Sequence, residues 1–349
     1  MILTVNFIFI FLFSLTFAND APISYKYEFS FGYDDNFMRF SDNELNAYHG
    51  NDNLGSSYLG DSKTYDSGIF SPSFQIKFSP KIKNKFKSNL IGRIKYNYYS
   101  SSKQKTYTSY LFRYELRLAS YKWLKFSYSI SPDFYLRTYI DRDLMPNNRF
   151  PCTFSNENIY ISYSHQFLFN KTWVDYRLVL NNQFYNKYFT EFDSRIRGLE
   201  ITFKTKRFKS YYSSIGLLYY ISSNNTYDPV KMLESSKMDR SYQRNGIKFF
   251  IKKSLKKLFF NSIGFKFYFN KRFYDLESWF YIQDNWKTYS DYDIRLELSK
   301  KLTKNIKLDF SIKNFKRTVN SSNSTEIEWV EDYKNHNRNE LWLKFIYLF

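Results

Sequence analysis

The sequence predicts an all-β chain: an up-and-down antiparallel transmembrane β-barrel of about fourteen strands, preceded by a cleaved signal peptide. Four observations predict it. Aromatic residues make up 22% of the 349 residues, with 34 Tyr and 38 Phe, yet mean hydropathy is only −0.56. Beyond residue 18 no apolar run approaches the roughly 20 residues of a membrane helix. Segment after segment instead alternates apolar and polar residues with period two, the repeat of a strand whose faces differ. Finally, short and long connections alternate along the chain, as in a barrel with turns at one rim and loops at the other. A lipid face and a polar lumen face on every strand reconcile abundant rings with low mean hydropathy.

The first element is the apolar run Phe7 to Ala18, FIFIFLFSLTFA, with Thr16 and Ala18 at the positions a signal peptidase reads and polar Asn19 and Asp20 directly after. It is too short to cross a bilayer as a helix. The preceding MILTVN lacks Lys and Arg, so only the α-amino charge serves as a basic n-region. No Cys follows the run, which excludes a lipoprotein. Residues 1–18 are therefore read as a signal peptide and 19–349 as one barrel domain, since no Pro/Gly-rich linker divides the rest.

Strands are expected near 23–33, 68–78, 86–99, 106–118, 123–139, 157–167, 173–188, 194–204, 209–222, 242–253, 258–272, 286–300, 305–317 and 338–349. In the fourth, Tyr110, Phe112, Tyr114, Leu116 and Leu118 oppose Arg113, Glu115 and Arg117. In the twelfth, Tyr292, Ile294, Leu296 and Leu298 oppose Asp293, Arg295 and Glu297; in the thirteenth, Ile306, Leu308, Phe310 and Ile312 oppose Lys307, Asp309 and Lys313. A helix would mix these faces. The connections SPKIKNK, SYKW, LFNKT, KRFK, SLKK and KLTK are short and mostly basic. Between them lie long polar stretches at 34–67, 140–156, 223–241, 273–285 and 318–337, and two shorter ones near 100–105 and 189–193. A miscounted strand would make long and short connections exchange places, and they do not.

The last nine residues, LWLKFIYLF, place Leu341, Leu343, Phe345, Tyr347 and Phe349 on one face and end in an aromatic residue. This segment resembles the C-terminal recognition strand of bacterial outer-membrane β-barrel, porin-like proteins. The resemblance implies these five residues as an assembly signal, the barrel-assembly machinery as a partner during biogenesis, and an outer membrane of a Gram-negative bacterium; with short turns periplasmic and long loops external, both termini are expected in the periplasm. A second segment, FGYDDNFMRFSD at 31–42, resembles the Tyr-Asp-Asp-Asn segment near the start of some outer-membrane barrels associated with exopolysaccharide systems. Asp34, Asp35 and Asn36 also have the clustered oxygens that Ca²⁺ uses, although such a cluster more often simply opens a loop.

Enzyme chemistry finds no foothold. There is no Gly-rich phosphate loop, paired-His metal motif or nucleophile elbow, so no catalytic residue, metal site or cofactor is expected. Of the three His, His165 falls on the lipid-facing parity. His49 and His336 fall in loops that barrel closure brings side by side, where Asp42 or Asp332 stands near in sequence. Two solvated loop histidines are the commoner outcome. The single Cys152 excludes an intramolecular disulfide and is expected as an unpaired loop thiol in NNRFPCTFSNE.

Lys and Arg number 52 against 33 Asp and Glu. Because the basic residues alternate with apolar ones rather than forming a run, nucleic acid is not expected as a partner. With apolar parity facing lipid, the opposite parity carries Arg93, Lys95, Arg113, Glu115, Arg117, Lys125, Arg137, Arg177, Glu200, Lys266, Arg295, Glu297 and Lys307 as pore-lining candidates. The same parity holds Lys204, Lys248, Lys252, Arg272, Lys313 and Lys344, against Asp133, Asp175, Asp293 and Asp309. Arg195, Arg197 and Lys316 share the lipid-facing parity near the loop rim, so outer-membrane lipid and lipopolysaccharide headgroups are expected partners. The expected function is a channel passing small hydrophilic, anionic solutes, its selectivity set by these side chains and by the long first loop folding inward. The alternative is a polysaccharide-associated or surface-assembly outer-membrane barrel without open-pore transport.

Overall fold

In the computed structural model, antiparallel pairing links each long strand to the next around a closed wall. The structure describes residues 22–50, 58–82, 86–141, 143, 149–208, 210–228, 230–231, 239–255, 258–275, 286–321 and 334–349. The expected signal peptide and Asp332 lie outside them. The elements in order are β1 (Ile23–Asp34), α1 (Asp42–His49), β2 (Ser67–Phe78), β3 (Lys81–Ile82), β4 (Phe86–Tyr99), β5 (Tyr107–Ala119), β6 (Lys122–Ile140) and β7 (Arg149–Gln166). There follow β8 (Thr172–Tyr185), β9 (Ser194–Thr205), β10 (Tyr211–Asn224), β11 (Tyr242–Ser254), β12 (Ser262–Asp275), β13 (Trp286–Lys301), β14 (Ile306–Ser321) and β15 (His336–Leu348). Fourteen long strands form the wall, and the two-residue β3 extends only the β2–β4 turn.

Each strand pairs with its sequence neighbours, and β15 returns to β1 to close the sheet, from Lys26↔Leu348 to Asp34↔Glu340. Beyond the last pair, Tyr25 N–H donates to Phe349 O at 2.8 Å and Phe349 N–H to Tyr25 O at 3.1 Å. The terminal ring stacks on Tyr25 and Tyr27, at 5.2 and 5.4 Å between centroids. Both ends of the barrel chain thus meet at the rim of short turns. Closure leaves no unpaired edge, which is what permits strands to span lipid.

The period-two pattern governs which way side chains point. Leu178, at 61% exposure, Leu217 and Leu343 stand on the outer surface, while their neighbours Arg177, Gly216 and Trp342 lie on the inner one. No helix of the described residues is long and apolar enough to cross a membrane.

Two prolines mark interruptions in the ladder. Pro72 has no N–H, and the β2–β4 partners skip from Phe70↔Tyr98 to Ser73↔Lys95; the Ser71 hydroxyl bridges the gap by donating to Asn97 Oδ1 at 2.9 Å. At Pro132 the strand bulges, with Asp133 at φ 52° and register shifts between Ser131 and Phe134 and again between Tyr135 and Thr138.

Several expectations need correction. β7 starts at Arg149, inside the stretch 140–156 read as a loop, because the upper half of β6 needs a partner for its backbone groups and residues 149–154 supply it. Cys152 is therefore a buried strand residue at 0% exposure and not a loop thiol. His336 is likewise buried, as the first residue of β15 opposite Arg317, and not a solvated loop group. β8 ends at Tyr185 and β12 starts at Ser262, shorter than expected, whereas α1 and a short 3₁₀ turn at Thr190–Phe192 were not foreseen.

Candidate functional site

The ladder assigns each charged candidate to a face. Gln75↔Arg93 and Ser73↔Lys95 continue the inner row that contains Ser71, Lys26 and Glu28. Glu115↔Lys125, Arg113↔Ser127 and Arg117↔Trp123 belong to the same row on β5 and β6. Arg177↔Glu200, Lys266↔Arg295, Gly264↔Glu297 and Lys301↔Lys307 complete it. Arg137 follows the β6 bulges at the loop rim. Arg195, Arg197 and Lys316 are exposed on the outer parity shared with Leu199 and Ile312, and His165 lies outside between Tyr163 and Tyr176, at 5.9 and 5.7 Å.

Many inner cations are matched by a carboxylate on the same or a nearby strand. Glu200 accepts from Lys248 at 2.6 Å, pairs with Arg177 at 3.3 Å and also accepts from the Tyr220 hydroxyl. Lys204 meets Asp175 at 2.6 Å, Lys266 meets Glu297 at 2.6 Å, and Lys307 meets Asp309 at 2.7 Å. Glu28 binds Lys26 at 2.7 Å and Lys344 at 2.9 Å. Arg93 and Lys252 form no salt bridge among the described residues, and Lys95 faces the Trp342 ring at 5.9 Å. The inner surface thus combines closed ion pairs with a smaller set of uncompensated cations. Packing on this face is close: the Trp342 ring lies where a Cβ on Gly32 would come within 2.6 Å, so only glycine fits beneath it.

Nearer the loop rim the cations converge. Asp291 holds Arg317 at 2.6 Å and Arg272 at 3.2 Å, while Arg338 joins Glu340 at 2.8 Å and Asp34 at 3.5 Å. Residues 35–50 fold into this mouth. Phe37, Met38, Phe40, Leu59 and Tyr135 form a buried cluster, and Phe37 lies 5.6 Å from Tyr99 of β4. Helix α1 is capped by Ser41, whose hydroxyl accepts from Glu44 N–H at 3.2 Å, and Glu44 in turn accepts from Ser41 N–H at 3.0 Å. The same carboxylate receives both terminal nitrogens of Arg137, at 2.5 and 3.1 Å, tying the first loop to β6.

Three further cations stand in this mouth. Lys105 is buried, donating to Tyr135 O at 2.7 Å; burial, then Arg39 and Arg338, push its ammonium pKa well below the ordinary value. Arg39 is held at φ 59°, and burial with Arg338 and Arg317 lowers its pKa to about 10. Lys334 lies over the Tyr139 ring at 5.6 Å, and burial with Arg137, Lys287 and Arg240 lowers its pKa to about 7.

The Asp34–Asn36 cluster is occupied by the chain itself. The Asn36 amide donates to Phe40 O and Asn337 O, Asp34 Oδ1 accepts from Asn36 N–H, and Asp35 accepts from Asn339. No metal-ligand cluster occurs among the described residues. His49 and His336 are not brought together as a site: His49 bonds Tyr65 OH at 3.1 Å, and His336 Nδ1 meets Lys334 O at 3.1 Å.

Sequence reasoning missed Glu28, Asp291, Arg317, Arg338 and Glu340, and weighed Asp34 as a cation ligand rather than as a partner of Arg338. All but Asp34 lie inside the expected strands on the inward parity, so parity alone would have placed them. Sequence reasoning also missed inner rings such as Trp123, Trp173 and Tyr212, because only charged residues were drawn up for the inward parity. Helix α1 had a readable signal in Ser41-Asp42-Asn43-Glu44, a capping box.

No family model and no curated protein matches the chain. Solved structures that overlap it include the outer membrane channel DcaP of Acinetobacter baumannii, at 12% identity and a TM-score of 0.46, covering 95% of this chain and 97% of that one. The anion-selective porin from Comamonas acidovorans overlaps at 6% identity and a TM-score of 0.43, covering 95% and 99%. OmpT of Vibrio cholerae overlaps at 8% identity and a TM-score of 0.45, covering 94% and 99%. Such low identity and overlap carry no functional conclusion to this chain.

Proposed function

We propose that this barrel is a non-enzymatic channel of a Gram-negative outer membrane, with the turn rim and both termini in the periplasm, that passes small hydrophilic and preferentially anionic solutes. The observation that carries the reading is the charge of the inner row: most acids there are held in ion pairs, while Arg93, Lys95 and Lys252 have no salt-bridging carboxylate among the described residues. Charges of one sign within low-dielectric walls focus the field and concentrate counter-ions. The first loop, folded into the mouth, narrows the path beside Arg39, Lys105 and Lys334.

Purified protein in a planar bilayer should give discrete conductance steps, and reversal potentials across a KCl gradient should show chloride preference. Arg93→Glu with Lys95→Glu should shift the preference toward potassium. Cation selectivity of the unmodified protein would defeat the reading, as would anion selectivity indifferent to the double change. The packing of α1 into the mouth favours a second reading, a polysaccharide-associated or surface-assembly barrel without open-pore transport. A silent, ion-tight barrel would support it.

A further inference from the structure

At the turn rim of the barrel lies a cavity of about 510 Å³, remote from the loop-rim constriction. Its walls come from consecutive strands: Arg117 from β5, Trp123 and Lys125 from β6, Asp175 and Trp173 from β8, and Tyr212 from β10. Ser164 and Lys204 fill the intervening strands β7 and β9. The size is that of a pocket for a small ligand.

The aromatic content is unusual for its place. Trp123 is paired with Arg117 and Ser164, and Trp173 with Lys204, so both indoles stand on the inner, polar side of the wall. Tyr121 closes the group, its ring stacked on Trp173 at 5.0 Å. It does so from the two-residue turn between β5 and β6 with φ 58°, a left-handed conformation in which glycine or asparagine would sit without strain. The third ring, Tyr212, lies 6.1 Å from Trp173.

Cations lie against these ring faces. Arg117 and Lys125 each stand 5.6 Å from the Trp123 ring, and Lys206 lies 6.0 Å from Trp173 and 5.8 Å from Tyr212. Arg117 and Lys206 form no salt bridge among the described residues, whereas Lys204 is neutralised by Asp175 at 2.6 Å. The cavity therefore offers aromatic rings flanked by cations, net positive charge, and the hydroxyl and carboxylate acceptors of Ser120, Ser164 and Asp175.

We infer that this cavity binds an anionic saccharide, a pyranose carrying a carboxylate. The C–H face of such a ring packs on indole or phenol, its hydroxyls donate to Asp175 and the serines, and its carboxylate meets Arg117 or Lys206. A flat aromatic acid would use the rings and cations but leave those acceptors unpaired, and an inorganic anion would use the cations alone. Transport of such a sugar rests on the channel reading above, but occupancy of the cavity needs no open pore.

The test is calorimetric titration of the detergent-solubilised barrel with trigalacturonate, alongside maltotriose and sodium acetate. Trigalacturonate should bind saturably, and each control at least about tenfold more weakly. Trp173→Ala, and Arg117→Gln combined with Lys206→Gln, should each weaken trigalacturonate about tenfold, while Trp173→Phe retains most of the affinity. Retained gel-mobility shift on heating shows that a variant is folded; should Trp173→Ala fail that check, Trp123→Ala takes its place. Equal binding of maltotriose, binding by acetate alone, or affinity unchanged by loss of the indole would each overturn the assignment. A barrel silent in bilayers that still binds trigalacturonate would defeat the channel and keep the site, and a conducting barrel that does not bind it would do the reverse.

Discussion

At the scale of single residues, Lys334 is the most informative titrating group. Its ammonium faces Tyr139, with Arg137, Lys287 and Arg240 repelling it and Glu44 attracting it, and its pKa of about 7 lies far below the ordinary 10.5. Below about pH 7 it adds a charge to the mouth, and above that it does not. The chloride-to-potassium permeability ratio should therefore be higher at pH 6 than at pH 8, and Lys334→Met should flatten the difference. A step of equal size in the variant would assign the titration elsewhere. The linked stability effect has a definite sign. Between about pH 7 and 10.5 the unfolded chain holds a proton at Lys334 that the folded barrel does not, so stability rises with pH across that window. Below it both states are protonated and the folded state carries the full cost of the buried charge, a cost that Lys334→Met removes.

At the scale of elements, α1 depends on one carboxylate used twice. Glu44 completes the capping box with Ser41 and binds Arg137, whose side chain is 8% exposed against 3% for Glu44. Glu44→Ala would uncap the helix and leave a guanidinium buried without its partner, a loss of about 3–5 kcal/mol for a buried pair. Melting should fall accordingly, and single-channel current should become larger and noisier as residues 35–50 leave the mouth. Glu44→Ala paired with Arg137→Met should recover much of the stability but not the quiet current; unchanged melting in the single variant would show the pair to be incidental. Legibility was uneven at this scale. Strands with clean alternation, β5 and β13, appeared within a residue or so of their bounds. The start of β7 did not, because Pro151 and Cys152 interrupt the pattern and that stretch becomes a strand only by pairing with the bulged end of β6. The residue row facing the lumen could be drawn up from parity, but not which of its cations find acids, since ion pairs such as Lys248–Glu200 join residues 48 apart.

At the scale of the whole molecule, the outer surface sets how the barrel sits in lipid. Arg195, Arg197 and Lys316 are exposed on the outer parity close to the loop rim, among residues such as Leu199 and Ile312 that face outward. Cations at mid-bilayer would cost about 2–4 kcal/mol, falling to about 0–1 near an interface, so this height is where they are tolerated. Guanidinium groups bind phosphate in bidentate fashion, which makes a phosphorylated lipid headgroup the proposed partner. Added lipopolysaccharide should raise the melting temperature of the native barrel more than that of the Arg195→Gln, Arg197→Gln variant. Equal stabilisation of both would reduce the pair to simple snorkelling.

The sequence alone determined the fold class, the fourteen long strands, the alternation of turns and loops, and the face on which most charged residues stand. All of these follow from a period of two and from local turn chemistry, which act over a few residues and so leave their mark in short windows. The tertiary structure alone decided what lies opposite what. Closure of the last strand on the first and an inward first loop were already expected, but the Glu44–Arg137 pair that fixes that loop, the burial of Cys152 and His336, and the gathering of Trp123, Trp173 and Tyr212 around one cavity all depend on strand stagger and on side chains far apart in sequence. An inward aromatic ring and a lipid-facing one obey the same alternation rule locally, and only the closed ladder tells them apart.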